Sequence, residues 1–378
     1  MKSIINGKII TPYGIIKNKV LNFRTIINSI SDTAQGEIID AKGNYVCPGL
    51  VDIHIHGYAG EDASDGKAEG IRTMAEGIVK NGVTSWLPTT MTVSKAELEA
   101  AFEAIRTVKA ESETPDFKGA QILGINAEGP FINAQYKGAQ AEENIIKPDA
   151  EFIKKYADII KLVTVAPEVE GAMDFIKEIK KDTSITVSMG HTGTTYETAK
   201  EAFEAGLSHV THLFNAMTPL HHRKPGAVGA ALSKSSVTCE LICDTYHVHP
   251  GQYELVYSLK GDKLVLITDC IRAGGLTDGE YTLGGQKVTV KGITCLLDDG
   301  TIAGSVLKLN NAIKNFKNNT NIPLHKIVNC ASLTPAKAIG VDKTKGSIEV
   351  GKDADIVIMD EDFQVLSTFV GGDLKYSK

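Results

Sequence analysis

Apolar and polar positions along the chain fall into three textures. Over residues 1–48, short β-type runs (Ile4-Ile5, Ile9-Ile10, Ile15-Ile16, then 20–23) are separated by turn residues such as Asn6-Gly7 and Pro12-Tyr13-Gly14, which predicts short strands. Residues 345–378 repeat that texture in Ala354-Asp355-Ile356-Val357-Ile358-Met359, Val365-Leu366 and 368–370. Two strand-rich ends flanking a different middle predict one small β domain built from both termini, 1–48 with 345–378.

The middle alternates apolar strands with helical periodicity. Residues 70–82 read as a helix feeding a strand at 83–89. A second helix at 95–109 places Leu98, Phe102 and Ile105 on one face and leads to a strand at 120–128. Further strands are predicted at 161–167, 185–191, 209–214, 237–244 and 263–269, with helices at 172–181 and 196–205. With 49–56 these make eight strands mostly separated by helices, the pattern of a (β/α)8 barrel over 49–344 rather than of an open sheet. Residues 281–297 read as a glycine-broken hairpin after the last strand. Residues 322–339 read as a helical tail with Ser332 as cap and Thr334-Pro335 in its first turn.

Composition narrows the class. The 378 residues are 42% hydrophobic and 23% charged, ordinary for a globular chain, and the net charge of −6 argues against a nucleic-acid binder. Six cysteines at 47, 239, 243, 270, 295 and 330 lack CxxC spacing and read as reduced thiols. The start, Met1-Lys2-Ser3-Ile4-Ile5-Asn6-Gly7, lacks the apolar core of a signal peptide, and no run of about 18 apolar residues occurs. A cytoplasmic protein with no membrane segment is expected.

The chemistry sits where the strands end. The first ends in His54-Ile55-His56, whose imidazoles share a face because strand side chains alternate, with Gly57 expected to let the chain turn away. The third ends in Glu128, the fifth in His191, the sixth in His212 and the eighth in Asp269; Asp244 and His247 follow the seventh. Active sites of such barrels assemble at the C-terminal strand ends. Any one of these histidines could be a satisfied core imidazole, but the repeated placement of ligand-type side chains predicts a metal site. Imidazole and carboxylate donors without paired cysteines suit zinc, iron(II), manganese or cobalt. Glu128, His191 and His212 supply three ligands and leave a fourth position for water, while His54 and His56 can hold a second ion bridged by Glu128 or water. Asp269 is placed to take a proton from a metal-activated water and return it to the leaving group, its alternatives being a plain ligand, a helix cap, or ligand and base together.

Pro48-Gly49-Leu50-Val51-Asp52-Ile53-His54-Ile55-His56-Gly57, with the late Gly351-Lys352-Asp353-Ala354-Asp355-Ile356-Val357, resembles the amidohydrolase superfamily, metal-dependent hydrolases with a TIM barrel and a split β-sandwich. Glu128-Gly129-Pro130-Phe131, Gly190-His191-Thr192, His212-Leu213-Phe214-Asn215-Ala216-Met217, Asp244-Thr245-Tyr246-His247-Val248 and Ile302-Ala303-Gly304-Ser305 are similar to its deacetylases of N-acetylglucosamine 6-phosphate. The resemblance runs nearly end to end. It implies metal ligands at Glu128, His191 and His212, a catalytic Asp269, and substrate contacts at Ala139, Gln140, Asn215, Ala216, Arg223, Asp244, Thr245, Tyr246, His247, Ile302, Ala303 and Gly304. It also implies a homodimer in which Arg223 reaches the sugar phosphate in the neighbouring subunit, against the alternative of a solvated basic loop.

Two departures from the family pattern matter. Members with neutral amides in place of His54 and His56 carry one metal, so two ions are expected here. Gln140 replaces a histidine that helps hold the acetyl carbonyl, which leaves that task to Gln140 itself, His247 or the second ion. The reaction implied is hydrolysis of the acetamide to acetate and glucosamine 6-phosphate. The rivals are a deacetylase of the galactosamine epimer, another amidohydrolase such as a cyclic amidase or deaminase, and an inactive barrel kept as a binding scaffold.

Overall fold

Each apolar run of the middle segment forms a strand in the computed structural model, which describes residues 1–378. They are β1 (Leu50–Ile55), β2 (Val83–Thr90), β3 (Ile125–Phe131), β4 (Ile160–Val165), β5 (Thr186–Met189), β6 (His209–Val210), β7 (Thr238–Ile242) and β8 (Leu264–Ile267). Neighbours pair in parallel in chain order from β1 to β8. The ring closes by a parallel bridge between Ile55 and Cys270. There the Asp269 amide donates to the His54 carbonyl and the His56 amide to the Cys270 carbonyl, each at 2.9 Å. This is a (β/α)8 barrel, and the strands' continuous apolar character follows from burial on both faces.

The helices form where an apolar stripe can be buried. Lys95–Ser112 begins with a capping box, in which Ser94 and Glu97 satisfy each other's backbone amides, and it buries Leu98, Phe102 and Ile105 against the barrel. Ala68–Ile78, Ala172–Asp182 and Tyr196–Ala205 lie where the periodicity places them. Gly226–Ser233, Tyr253–Lys260 and Leu309–Asn318 were not foreseen; the first is buried nearly all round and so carries no amphipathic signature. The tail at 322–339 is two helices, Leu324–Cys330 and Leu333–Ala338. Ser332 stands at the expected cap position, but its hydroxyl donates back to the Val328 carbonyl at 2.7 Å instead of capping.

The two ends of the chain meet. Tyr45–Pro48 pairs antiparallel with Ile356–Met359 inside a six-stranded sheet that also holds Lys8–Thr11, Gly14–Ile16, Val365–Val370 and Asp373–Ser377. A four-stranded sheet of Lys2–Ile5, Val20–Phe23, Ile27–Ser31 and Glu37–Asp40 packs on it through Ile4, Leu21, Phe23, Ile356 and Phe369. Residues 281–297 form three strands, not the two of a hairpin: Gly279–Leu283, Gln286–Lys291 and Thr294–Leu296. No helix is long and apolar enough to cross a membrane.

A buried ion-pair group ties the sandwich to the barrel. Lys345 Nζ lies 2.8 Å from Asp355 and 3.0 Å from Asp353, with its side chain 5% exposed. Asp355 also accepts the Gly371 amide at 2.8 Å, and its other oxygen is 3.5 Å from the Ser85 hydroxyl on β2. Removing the cation strands the buried Asp355 carboxylate, beside a half-buried Asp353, without its counter-charge. Lys345→Met is therefore expected to lower unfolding free energy by about 3–5 kcal/mol. Urea denaturation measures this, and a midpoint within error of the parent would contradict it.

Candidate metal centre and active site

The barrel brings six side chains from five strand ends to one floor. His54 lies in β1 and His56 one residue past it, both on the inward face, and Glu128 lies in β3. His191, His212 and Asp269 each follow the end of β5, β6 and β8 by two residues. All six are buried. The last three adopt left-handed backbone, with φ of 46°, 28° and 50°, a conformation costing on the order of 1–3 kcal/mol outside glycine. That twist carries the side chains off the strand direction and over the barrel mouth. Gly57 has a different reason from the expected turn: its φ is ordinary, and a Cβ there would overlap the Arg272 backbone.

The donors form two groups joined by one carboxylate. Glu128 Oε1 lies 3.1 Å from His191 Nε2 and 2.9 Å from His212 Nε2, and those two nitrogens are 3.1 Å apart. His54 Nε2 and His56 Nε2 are 3.3 Å apart, and Asp269 Oδ1 is 3.5 and 3.3 Å from them. Glu128 reaches this second group as well, with Oε2 at 3.1 Å from His56 Nε2 and Oε1 at 3.4 Å from His54 Nε2.

These residues fit a metal on their own chemistry. The Nδ1 of His56 faces the Thr89 carbonyl at 3.1 Å, that of His191 the Tyr136 carbonyl at 2.9 Å, and that of His54 the Glu240 carboxylate at 2.9 Å. A carbonyl or carboxylate there places the proton on Nδ1, so each Nε2 offers a lone pair to the floor. Lone pairs and carboxylate oxygens facing one another at about 3 Å repel unless a cation lies among them. Ligands roughly 2.0–2.1 Å from a tetrahedral ion stand about 3.3 Å apart, the spacing seen.

The titration behaviour reports the same excess of negative charge. Burial alone would lower His56, but Asp269 and Glu128 outweigh it and push it up to about 9. Burial also works to lower His54, and Glu240 and Glu128 hold it well above the usual imidazole range. Glu128 and Asp269 would rise on burial, yet the surrounding imidazoles hold both below the ordinary carboxylate range.

Above the floor opens a cavity of about 360 Å³. Among the substrate positions implied by the family resemblance, Ala139, Gln140, Asn215, Ala216, His247, Ile302 and Gly304 line it. Asp244 lies behind the wall and holds His247 Nδ1 at 2.6 Å, which leaves Nε2 as the ring atom free to face a ligand. Burial lowers His247 and Asp244 more than reverses it, so the ring is held above its usual value. Thr245 and Tyr246 are not part of the wall, and the Ala303 side chain packs in the small apolar core beneath the three-stranded sheet. Arg223 is exposed and lines a separate cleft beside Thr194, Thr195 and Lys224.

Gln140 carries a task that its residue type does not advertise. Its Oε1 accepts the Thr92 amide at 2.7 Å and its Nε2 donates to Glu128 Oε2 at 2.6 Å, so a single N–H remains for a ligand oxygen. Two other groups were missed. Glu240, fully buried in β7, accepts from His54 and from the His212 amide; its signal was a lone carboxylate in the apolar run Thr238-Cys239-Glu240-Leu241-Ile242. Tyr136 and Thr89 act through backbone carbonyls, which no side-chain pattern reports.

A parallel barrel with buried histidines and carboxylates gathered at its C-terminal strand ends defines a metal-dependent hydrolase. The amidohydrolase family profile matches residues 45–375, and the chain belongs to that family. It is 42% identical over 345 residues to the N-acetylglucosamine-6-phosphate deacetylase of Bacillus subtilis (strain 168), covering 90% of this chain and 87% of that protein. It is 35% identical to the N-acetylgalactosamine-6-phosphate deacetylase of Escherichia coli O157:H7, covering 89% of each. Among solved structures, N-acetylglucosamine-6-phosphate deacetylase from Pasteurella multocida superposes over 100% of both chains with a TM-score of 0.93 at 32% identity.

If the floor binds metal, the folded state gains stability by mass action. Zinc added to chelator-treated protein at about 100 times its dissociation constant should stabilise by about 2.7 kcal/mol per site, and His212→Ala should remove most of one site's share. Thermal melting read against added zinc checks this; a flat response would contradict a metal floor.

Proposed function

We propose that this chain hydrolyses the acetamide of N-acetyl-D-glucosamine 6-phosphate, releasing acetate and D-glucosamine 6-phosphate. The observation that carries this reading is the sharing of Glu128 between two donor groups on the floor of a cavity walled by Asp269 and His247. The names of the relatives set out above support the choice of substrate. The barrel, 49–344, holds the chemistry, and a β-sandwich of 1–48 with 345–378 is its companion domain.

Glu128, His191 and His212 would hold one divalent cation, and His54, His56 and Asp269 with Glu128 a second; zinc or iron suits the donors. When bound, such ions supply Lewis acidity that lowers the pKa of water and polarises an acyl oxygen. Asp269 presents Oδ1 to the two histidines and keeps Oδ2 for the proton of the attacking water. Held below the usual carboxylate range, Asp269 is ionised and ready to accept. It then returns the proton to the amine nitrogen, which leaves poorly as an anion. His247, its Nδ1 tied to Asp244, donates from Nε2 to the acyl oxygen as negative charge grows there.

The phosphate needs a cation that this cavity lacks. Its lining residues include no lysine or arginine. Arg223, exposed on a loop outside its own cavity, is proposed to reach the phosphate in a second copy, making the active unit a homodimer; a guanidinium forks onto phosphate oxygens. With free buried cysteines, the reading places the enzyme in the cytoplasm.

Acetate release should be fast for the 6-phosphorylated glucosamine derivative and slow for the unphosphorylated sugar. A preference for the galactosamine epimer would reassign the substrate, and release from neither would remove the proposal. Asp269→Asn should retain zinc at the Glu128 group while kcat falls roughly 10²–10⁴-fold. Near-parent turnover in that variant would take Asp269 out of the reaction.

His247 gives the pH dependence. Its pKa is raised by Asp244, and Asp269 adds to the rise, so the donating form persists to higher pH and activity falls on the alkaline side as the ring loses its proton. Asp244→Asn removes the larger support, and the alkaline limb of kcat/KM should move to lower pH. An unmoved limb would show that another group sets it.

A further inference from the structure

One carboxylate outside the two donor groups touches a member of each. Glu240 lies in β7, fully buried, where a barrel layer is normally filled by a branched apolar side chain. A carboxylate in that place is costly to desolvate unless its partners compensate. Its contacts are complete and directional. Oε2 accepts from His54 Nδ1 at 2.9 Å and from the His212 amide at 2.9 Å, while Oε1 faces His209 Nε2 at 3.1 Å. Behind them His209 Nδ1 and the Thr238 hydroxyl are 2.5 Å apart, and that hydroxyl is 3.2 Å from the Ser208 carbonyl. His209 and Thr238 are themselves buried.

This chain of contacts is unlike the support given to the other ligand-type histidines. His56 and His191 rest their Nδ1 on neutral backbone carbonyls, whereas His54 alone rests on a charged group. A carboxylate behind an imidazole fixes its tautomer and orientation and makes the opposite nitrogen a stronger donor to a metal. The same Glu240 oxygen also holds the backbone of His212, a member of the other group, in its left-handed conformation. One oxygen atom therefore sets the position of one ligand in each group, but it enhances donor strength in only one of them.

We infer that Glu240, backed by His209 and Thr238, is a positioning residue that sets the affinity of the His54–His56–Asp269 side for its ion, separately from the Glu128–His191–His212 side. This rests on the reading of the floor as a two-ion centre. Glu240→Gln keeps the size of the side chain: its amide oxygen can still accept from His54 Nδ1 and the His212 amide, its NH2 turns to His209 Nε2, and the negative charge behind His54 is gone.

The test is a zinc titration of chelator-treated protein against a chromogenic competitor, with metal content per chain and the melting temperature of the metal-free protein measured alongside. The parent should take up two zinc ions. Glu240→Gln should weaken one step by roughly 10–100-fold and leave the other within about twofold, the metal-free melting temperature reporting separately what the fold itself loses. His54→Ala should abolish the same step that Glu240→Gln weakens. Thr238→Val, nearly isosteric, should weaken that step to a smaller degree, and it carries the test if the Gln variant does not fold. Two unchanged steps, or two steps weakened to a similar degree, would overturn the inference. A parent that binds no zinc would instead overturn the metal reading itself.

Discussion

Crowding of lone pairs is the constraint on which this barrel depends. Four imidazole nitrogens and two carboxylates crowd together, largely buried, at the foot of the cavity. Without a positive charge among them, whether protons or a metal ion, these donors repel, which is why the carboxylates hold His54 and His56 above the usual imidazole range. A cation converts each repulsion into coordination. The remainder of the structure can be understood as what is needed to hold these donors close until a cation binds.

Much of that holding is done by backbone. Three of the six donors sit in left-handed conformations just beyond their strands, where rigid pairing on both sides leaves the chain no relaxed alternative. The histidines are further fixed from behind by Thr89, Tyr136 and Glu240, and Glu128 is fixed from the side by Gln140. The open side of the floor is left to the cavity, whose lining includes His247 and Asp269, the proposed proton donor and acceptor. Division of labour between supports behind the floor and groups facing the cavity is what a rigid barrel with variable mouth loops makes available.

How much of this is legible in the amino-acid sequence depends on whether a feature repeats. The barrel is visible because eight apolar runs share one pattern, and the ligands because each ends such a run; His54, His56, Glu128, His191, His212 and Asp269 need no fold to be noticed. The hold of Gln140 on Glu128, and Glu240 altogether, escape for opposite reasons. Gln140 lies in a loop whose path no periodicity describes, so its bond to Glu128 exists only in three dimensions. The second interrupts an apolar strand, which is a signal, but nothing local says that His54 and His209 will lie against it. Helix Gly226–Ser233 is missed because it is buried on every side and so lacks a polar face. Arg223 lies outside its own cavity, so nothing in the floor or walls of the site says what it meets.

The seam of the barrel has a consequence for biosynthesis. β1 carries His54 and His56, and the segment after β8 carries Asp269; they are joined by the bridge of Ile55 to Cys270 and by the two amide bonds beside it. Since one partner emerges early from the ribosome and the other late, a nascent polypeptide lacking its final strand has the histidine pair without Asp269 opposite. The full donor set on that side is assembled only when first and last strands meet, so its completion marks a finished ring.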